Sequence, residues 1–85
     1  MYRVYNHNMI IIYTKLDCPY CEKVKNRIGE LAIPYTEKSI ADEGVAEELI
    51  AKGGKRQVPY LIDSERDISI YGENAIVDYL ESLRI

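Results

Sequence analysis

Residues 9–31 read MIIIYTKLDCPYCEKVKNRIGEL. The apolar run Met9–Tyr13, with three isoleucines, fits a central strand buried on both faces. Thr14 to Asp17 make a polar loop. From Pro19, apolar residues recur at Tyr20, Val24, Ile28 and Leu31, while Lys23, Asn26, Arg27 and Glu30 fall off that stripe, so the spacing predicts a helix. Between strand and helix stand the only two cysteines of the chain, Cys18 and Cys21. A thiol just before a helix meets unpaired N–H groups and the positive end of the helix dipole, and both favour thiolate. Thiols in Cys-x-x-Cys settings have pKa values of roughly 3.5–7.5, against about 8.5 for a free cysteine. Pro19 suits a first helical position, where its missing N–H has no partner to lose. The quartet reads as a redox site, with a reactive thiolate at Cys18 and a second thiol at Cys21 within disulfide reach. Cys18 is expected to be exposed, and Cys21, one turn into the helix, more enclosed.

The 85 residues predict one domain, and a composition of 47% hydrophobic and 29% charged residues places it with globular proteins. A net charge of −3 without a block of like charges weighs against nucleic acid as the main partner. No apolar run exceeds the five residues Met9–Tyr13, too few for a membrane span or a signal-peptide core. We therefore expect a cytoplasmic protein with no membrane partner. In a reducing compartment the cysteine spacing argues for redox or metal chemistry. Two thiolates supply half of a tetrahedral zinc site, and no second Cys or His pair exists to complete it, so no metal is assigned. A purely structural disulfide in so small a loop would remove little unfolded-chain entropy.

Residues 1–8 show no period and read as an extension; the other reading is a short extra strand through Val4 and Tyr5. His7, the one histidine, reads as a solvated tail residue. Pro34 ends the first helix, and Tyr35–Ile40 reads as a second strand. Asp42 is the expected N-cap of a second helix, with Val45, Ala46, Leu49 and Ile50 as its stripe and Gly53-Gly54 as its stop. A basic loop, Lys55 to Gln57, precedes a third strand, Val58–Ile62, interrupted by Pro59. Asp63–Asp67 makes a polar turn into a fourth strand, Ile68–Tyr71. After Gly72, residues Ile76, Tyr79, Leu80 and Leu83 define a third helix. The order is βαβαββα. This predicts an α/β fold with a four-stranded mixed sheet flanked by three helices. Its first two strands run parallel through a right-handed crossover, and its last two form a hairpin. Tyr35, Tyr60 and Tyr79 are expected to pack in or beside the core, and Tyr20 to flank a groove at the cysteines.

Residues 9–83 resemble the glutaredoxins, of the thioredoxin fold. The likeness is carried by Lys15 three residues before Cys18, the Cys-Pro-Tyr-Cys quartet, the Val58-Pro59 pair and the Gly72-Glu73-Asn74 turn. Tyr71 to Leu80 also looks like the N-terminal domain of glutathione S-transferases. The resemblance implies residues 9–85 as a glutaredoxin domain and glutathione-dependent thiol–disulfide exchange, with Cys18 as nucleophile and Cys21 as resolving thiol. It implies that Lys15 and Gln57 contact the glycine end of glutathione. Val58 would pair its backbone with the tripeptide beside a cis peptide at Pro59, and Tyr20 would flank the groove. Lys55 and Arg56 lie where they could meet a glutathione carboxylate. Glu73 and Asn74 would hold the γ-glutamyl end. Glu73 is acidic, so its backbone N–H is expected to matter more than its side chain. Glutathione enters as co-substrate, with no tightly bound cofactor. The implied partners are glutathione and disulfide-containing or glutathionylated proteins, met by a monomer. Two other readings stand beside this one. One is a thioredoxin-like hydrogen donor served by a flavoprotein reductase. The other is a carrier of an iron–sulfur cluster bridged between two chains.

Overall fold

Strand β1, Ile10–Thr14, divides the core in two. In a computed structural model that describes residues 10–83, Ile10 and Ile12 point to one face of the sheet, and Ile11 and Tyr13 to the other. The first face packs against helices α1, Pro19–Glu30, and α3, Glu73–Ser82, through Val24, Ile28, Ile76 and Leu80. The second packs beneath α2, Val45–Gly53, through Leu49. A strand covered on both sides has no polar face to show, which is why its sequence is continuously apolar.

The remaining strands are β2, Thr36–Ser39, β3, Tyr60–Asp63, and β4, Ile68–Tyr71, and the sheet order is β2-β1-β3-β4. β1 runs parallel to β2, with Tyr13 opposite Lys38. It runs antiparallel to β3, with Tyr13 opposite Tyr60. β3 and β4 form the expected hairpin, with Tyr60 opposite Tyr71. The βαβαββα order and the mixed sheet agree with the sequence reading.

Several boundaries differ from it. α1 stops at Glu30, where the Leu31 N–H bonds the Arg27 carbonyl at 3.0 Å and Ala32 turns to a φ of 57°, so the chain leaves the helix before Pro34 acts. Asp42 does not cap α2. A tight turn, with the Asp42 N–H bonded to the Ser39 carbonyl at 3.0 Å, sets it back, and the cap is Gly44 at a φ of 83°, a region glycine enters without penalty. β3 begins at Tyr60 and not at Val58, because Pro59 has no N–H to give the ladder. Residues 1–8, including His7 and the strand considered through Val4 and Tyr5, lie outside the described residues.

Asp63 was read as part of a turn but is a fully buried end of β3. Its carboxylate accepts the Glu65 N–H at 3.1 Å, the Arg66 guanidinium at 3.0 Å and the Tyr79 hydroxyl at 2.6 Å. A buried charge is tolerated only when paired and hydrogen-bonded in this way. Burial, then the bond to Asp63, pushes the Tyr79 phenol up to about 12. Burial and Glu48 raise Tyr13 in the same direction. In the unfolded chain both phenols ionise near their ordinary value of about 10. The unfolded state then binds fewer protons above that pH, so stability is full below pH 10 and falls between pH 10 and 12. Chemical denaturation across that range should show this fall, and Tyr79→Phe should flatten its slope.

Gly53 ends α2 against the tyrosines. A Cβ there would meet the Tyr71 hydroxyl and lie 2.9 Å from the Tyr60 ring. At Gly29 on the outside of α1, by contrast, a Cβ meets nothing within 4 Å. Gly53→Ala is expected to destabilise by about 1–3 kcal/mol. Gly29→Ala is expected to stabilise by about 0.5–1 kcal/mol. Thermal unfolding of the two variants checks the opposite signs.

Candidate active site

The topology gathers the chemistry at one end of the sheet. β1 ends at Thr14 and leads through Lys15, Leu16 and Asp17 to Cys18. Because β3 runs antiparallel to β1, its first residue, Tyr60, lies beside Tyr13, and Val58 and Pro59 fall at the same end. β4 ends there too, and the Gly72 N–H bonds the Pro59 carbonyl at 3.2 Å just before α3 begins. The peptide between Val58 and Pro59 is cis, as the resemblance implies.

Cys18 is the N-cap of α1, with an extended φ of −116° and ψ of 99°, and Pro19 takes the first helical position. Its sulfur accepts the Cys21 N–H at 3.1 Å, the bond that a Ser or Asp oxygen makes at other helix starts. The two sulfurs are joined as a disulfide across a Cα–Cα distance of 5.2 Å. After reduction, a thiolate at Cys18 would keep that N–H donor and the positive end of the helix. Cys18 was expected to be exposed but is only 4% so, against 0% for Cys21. The bond to Cys21 and the cap fold its sulfur against the helix, so the order of exposure holds while the expected openness does not. On either side of Cys18, Leu16 and Tyr20 are exposed at 71% and 61%. Asp17 holds the loop at a φ of 54°. Tyr20 stands between the two cysteines in the sequence and faces solvent.

Lys15, Gln57 and Asn74 are exposed at this end, Val58 is half-buried and Pro59 is buried. The side chain of Glu73 is 13% exposed and pairs with Lys23 of α1 at 3.0 Å. Sequence reading placed Lys23 off the helical stripe and gave it no partner. Nothing local could reveal the pair, because its partner lies on a different helix at the far end of the chain.

Tyr71 was also missed. It was read as the end of a strand and the start of the transferase-like stretch, with no contact assigned, but its ring stacks on Tyr60 at 4.2 Å between centroids. Its hydroxyl accepts the Lys55 N–H at 3.1 Å and donates to the Lys55 carbonyl at 2.9 Å, and the Lys55 ammonium lies 4.8 Å above the ring. Tyr71 thus fastens the start of the basic loop that enters Val58-Pro59. Tyr60 in turn packs on Tyr13, whose hydroxyl bonds Glu48. Lys38 joins that carboxylate at 2.8 Å, and Lys38, then Tyr13, holds Glu48 below the usual carboxylate range.

A family model described as "Glutathione S-transferase, N-terminal domain" matches residues 12–84. Glutaredoxin 1 of Rickettsia felis is 38% identical over 73 residues, covering 81% of this chain and 69% of its own length. The chain belongs to the glutaredoxin family. The chain is accordingly a thiol–disulfide oxidoreductase, and its fold is the thioredoxin fold. A solved thioredoxin-like protein agrees in fold at a TM-score of 0.75 and 23% identity, covering 87% of this chain and 97% of its own. A glutathione transferase homologue from Drosophila mojavensis, solved with bound glutathione, is 31% identical at a TM-score of 0.74. It is covered over 88% of this chain, which spans only 35% of that protein's length.

Removing the Tyr71 hydroxyl should loosen the basic loop without disturbing the core. A neutral hydrogen bond contributes about 0.5–1.5 kcal/mol. In Tyr71→Phe, amide exchange at Lys55 is expected to speed up several-fold by NMR, while exchange in β1 stays unchanged.

Proposed function

We propose that the chain is a dithiol glutaredoxin that reduces protein–glutathione mixed disulfides and protein disulfides with glutathione as co-substrate. The observation that carries this reading is the cap: the Cys18 sulfur sits on the start of α1, bonded to Cys21, at the sheet end that also holds Val58 and cis-Pro59. The family membership and the glutathione bound by the Drosophila mojavensis homologue support it. In the first route, the Cys18 thiolate attacks the glutathione sulfur of a mixed disulfide. The old S–S bond breaks and the protein thiolate leaves and takes up a proton. The thiolate of a second glutathione attacks the glutathione held on Cys18. Oxidised glutathione forms and the Cys18 thiolate is regenerated. In the dithiol route Cys18 attacks a protein disulfide, and Cys21 then attacks the Cys18 sulfur. The protein leaves reduced, and the enzyme is left with the Cys18–Cys21 disulfide.

In this reading Lys15 and Gln57 meet the glycine carboxylate and Tyr20 lines the groove. The backbone of Val58, beside Pro59, pairs with the extended tripeptide as a short added strand. Glu73 and Asn74 receive the γ-glutamyl end at the start of α3. We assign the redox domain to residues 9–85, with 1–8 as an extension, acting as a cytoplasmic monomer on glutathione, glutathionylated proteins and disulfide-containing proteins.

The test is turnover of a glutathione mixed disulfide with glutathione, and separately with a flavoprotein thioredoxin reductase, as electron source. Activity with glutathione alone supports the proposal, and activity with the reductase alone overturns it. Cys18→Ser is expected to abolish exchange in both. Cys21→Ser should keep glutathione removal and lose the reduction of protein disulfides. Iodoacetamide applied to the reduced protein at mildly acidic pH should label Cys18 first. Preferential labelling of Cys21 would reverse the two roles.

A further inference from the structure

We propose that Thr14 and Glu37 are positioning residues for the attacking thiol: with Lys25 they clamp both ends of the loop that carries Cys18. This rests on Cys18 as the nucleophile and not on the identity of the reductant. Tyrosines and cysteines aside, two polar side chains are buried among the described residues. Asp63 lies at the far end of the sheet, and Thr14 at the end that bears the redox site. A buried hydroxyl needs a partner. That of Thr14 donates to the Glu37 carboxylate on β2 at 2.8 Å. The ammonium of Lys25, on α1, meets the same carboxylate oxygen at 3.1 Å and the Glu22 carboxylate at 3.0 Å. The Glu22 N–H in turn bonds the Cys18 carbonyl at 3.0 Å. On the sheet side, the Thr14 carbonyl accepts the Ile40 N–H at 2.8 Å.

Thr14 is the last residue of β1, and Cys18 is the N-cap of α1. Between them Lys15, Leu16 and Asp17 are exposed, and Asp17 stands at a φ of 54°. A residue other than glycine keeps that conformation where the surrounding structure imposes it. An exposed loop has little packing of its own, so the constraint comes from its ends. One end is Thr14, tied to β2 by its hydroxyl and followed by a turn that its carbonyl closes. The other is the first turn of α1, tied to β2 by Lys25. Glu37 joins the two, because one of its oxygens takes both bonds. The Cys18 sulfur is thereby kept where the Cys21 N–H reaches it, at 3.1 Å. After reduction, that donor and the helix end favour the thiolate. A loop free to shift would carry the sulfur off the helix for part of the time, and the thiolate would lose both.

The test follows the pH profile of iodoacetamide alkylation of the reduced full chain, read at each cysteine by peptide mass spectrometry. Thr14→Val removes the hydroxyl and keeps the shape of the side chain. The loss of one such hydrogen bond is expected to slow Cys18 by about three- to tenfold at mildly acidic pH. Above the midpoint the rate should change little, so the midpoint itself moves up. Thr14→Ser keeps the hydroxyl and should keep the parent profile. Glu37→Met removes the shared acceptor. Taking away a negative charge would by itself favour thiolate and lower the midpoint, whereas loss of the clamp raises it. The charged groups of the two loops at this end, Lys15, Asp17, Lys55 and Arg56, stay in place in every variant. Thermal unfolding checks that each variant is folded at the assay temperature. A raised midpoint in Thr14→Val and Glu37→Met, with the parent midpoint in Thr14→Ser, supports the clamp. An unmoved midpoint in folded Thr14→Val, or a lowered one in Glu37→Met, overturns it and leaves Cys18 as the nucleophile. If Thr14→Val does not fold, the sign of the shift in Glu37→Met decides. Faster labelling of Cys21 than of Cys18 in the parent overturns the nucleophile assignment and the clamp with it.

Discussion

The structure depends on β1 being covered on both faces. Ile10 and Ile12 bury against α1 and α3 while Tyr13 buries under α2, so one five-residue strand anchors two separate cores. That double burial commits neighbours to each side of the strand, with β2 parallel to it and β3 antiparallel. The directions then determine where the chemistry collects. A strand that enters the site next to one that leaves it brings the Cys18 loop, Pro59 and Gly72 to a common end, though they are far apart in sequence.

At that end the backbone does much of the chemical preparation. The Cys18 sulfur occupies the position of a capping oxygen, so the Cys21 N–H that stabilises the first turn of α1 also faces one sulfur of the disulfide. Around it the side chains divide by exposure. Leu16 and Tyr20 present apolar surface to solvent, while Lys23 and Glu73 neutralise each other across α1 and α3.

A second layer holds the first. The tyrosines at 13, 60 and 71 run across three strands, and Gly53 is small because they leave it no room. Tyr71 reaches past the sheet edge to fasten Lys55, so packing on the face opposite α1 positions a loop that enters the site. At the far end of the sheet, Asp63 joins the hairpin to α3 through Tyr79. The two ends are thus built on different principles: a buried, fully satisfied carboxylate at one, and exposed polar groups at the other.

Local patterns in the sequence determined the element order and the redox pair. An apolar run, a helical stripe and a Cys-x-x-Cys at their junction are each contained within a few residues, where periodicity and capping act directly. The ends of elements were less legible. Asp42 has the chemistry of a cap, but a turn through Ser39 displaced it in favour of Gly44, and the burial of Asp63 depends on a tyrosine sixteen positions away in sequence. The tertiary structure alone decided which distant residues meet. The pairing of Lys23 with Glu73 and the grip of Tyr71 on Lys55 both follow from how strands and helices pack, and no spacing within one element encodes them.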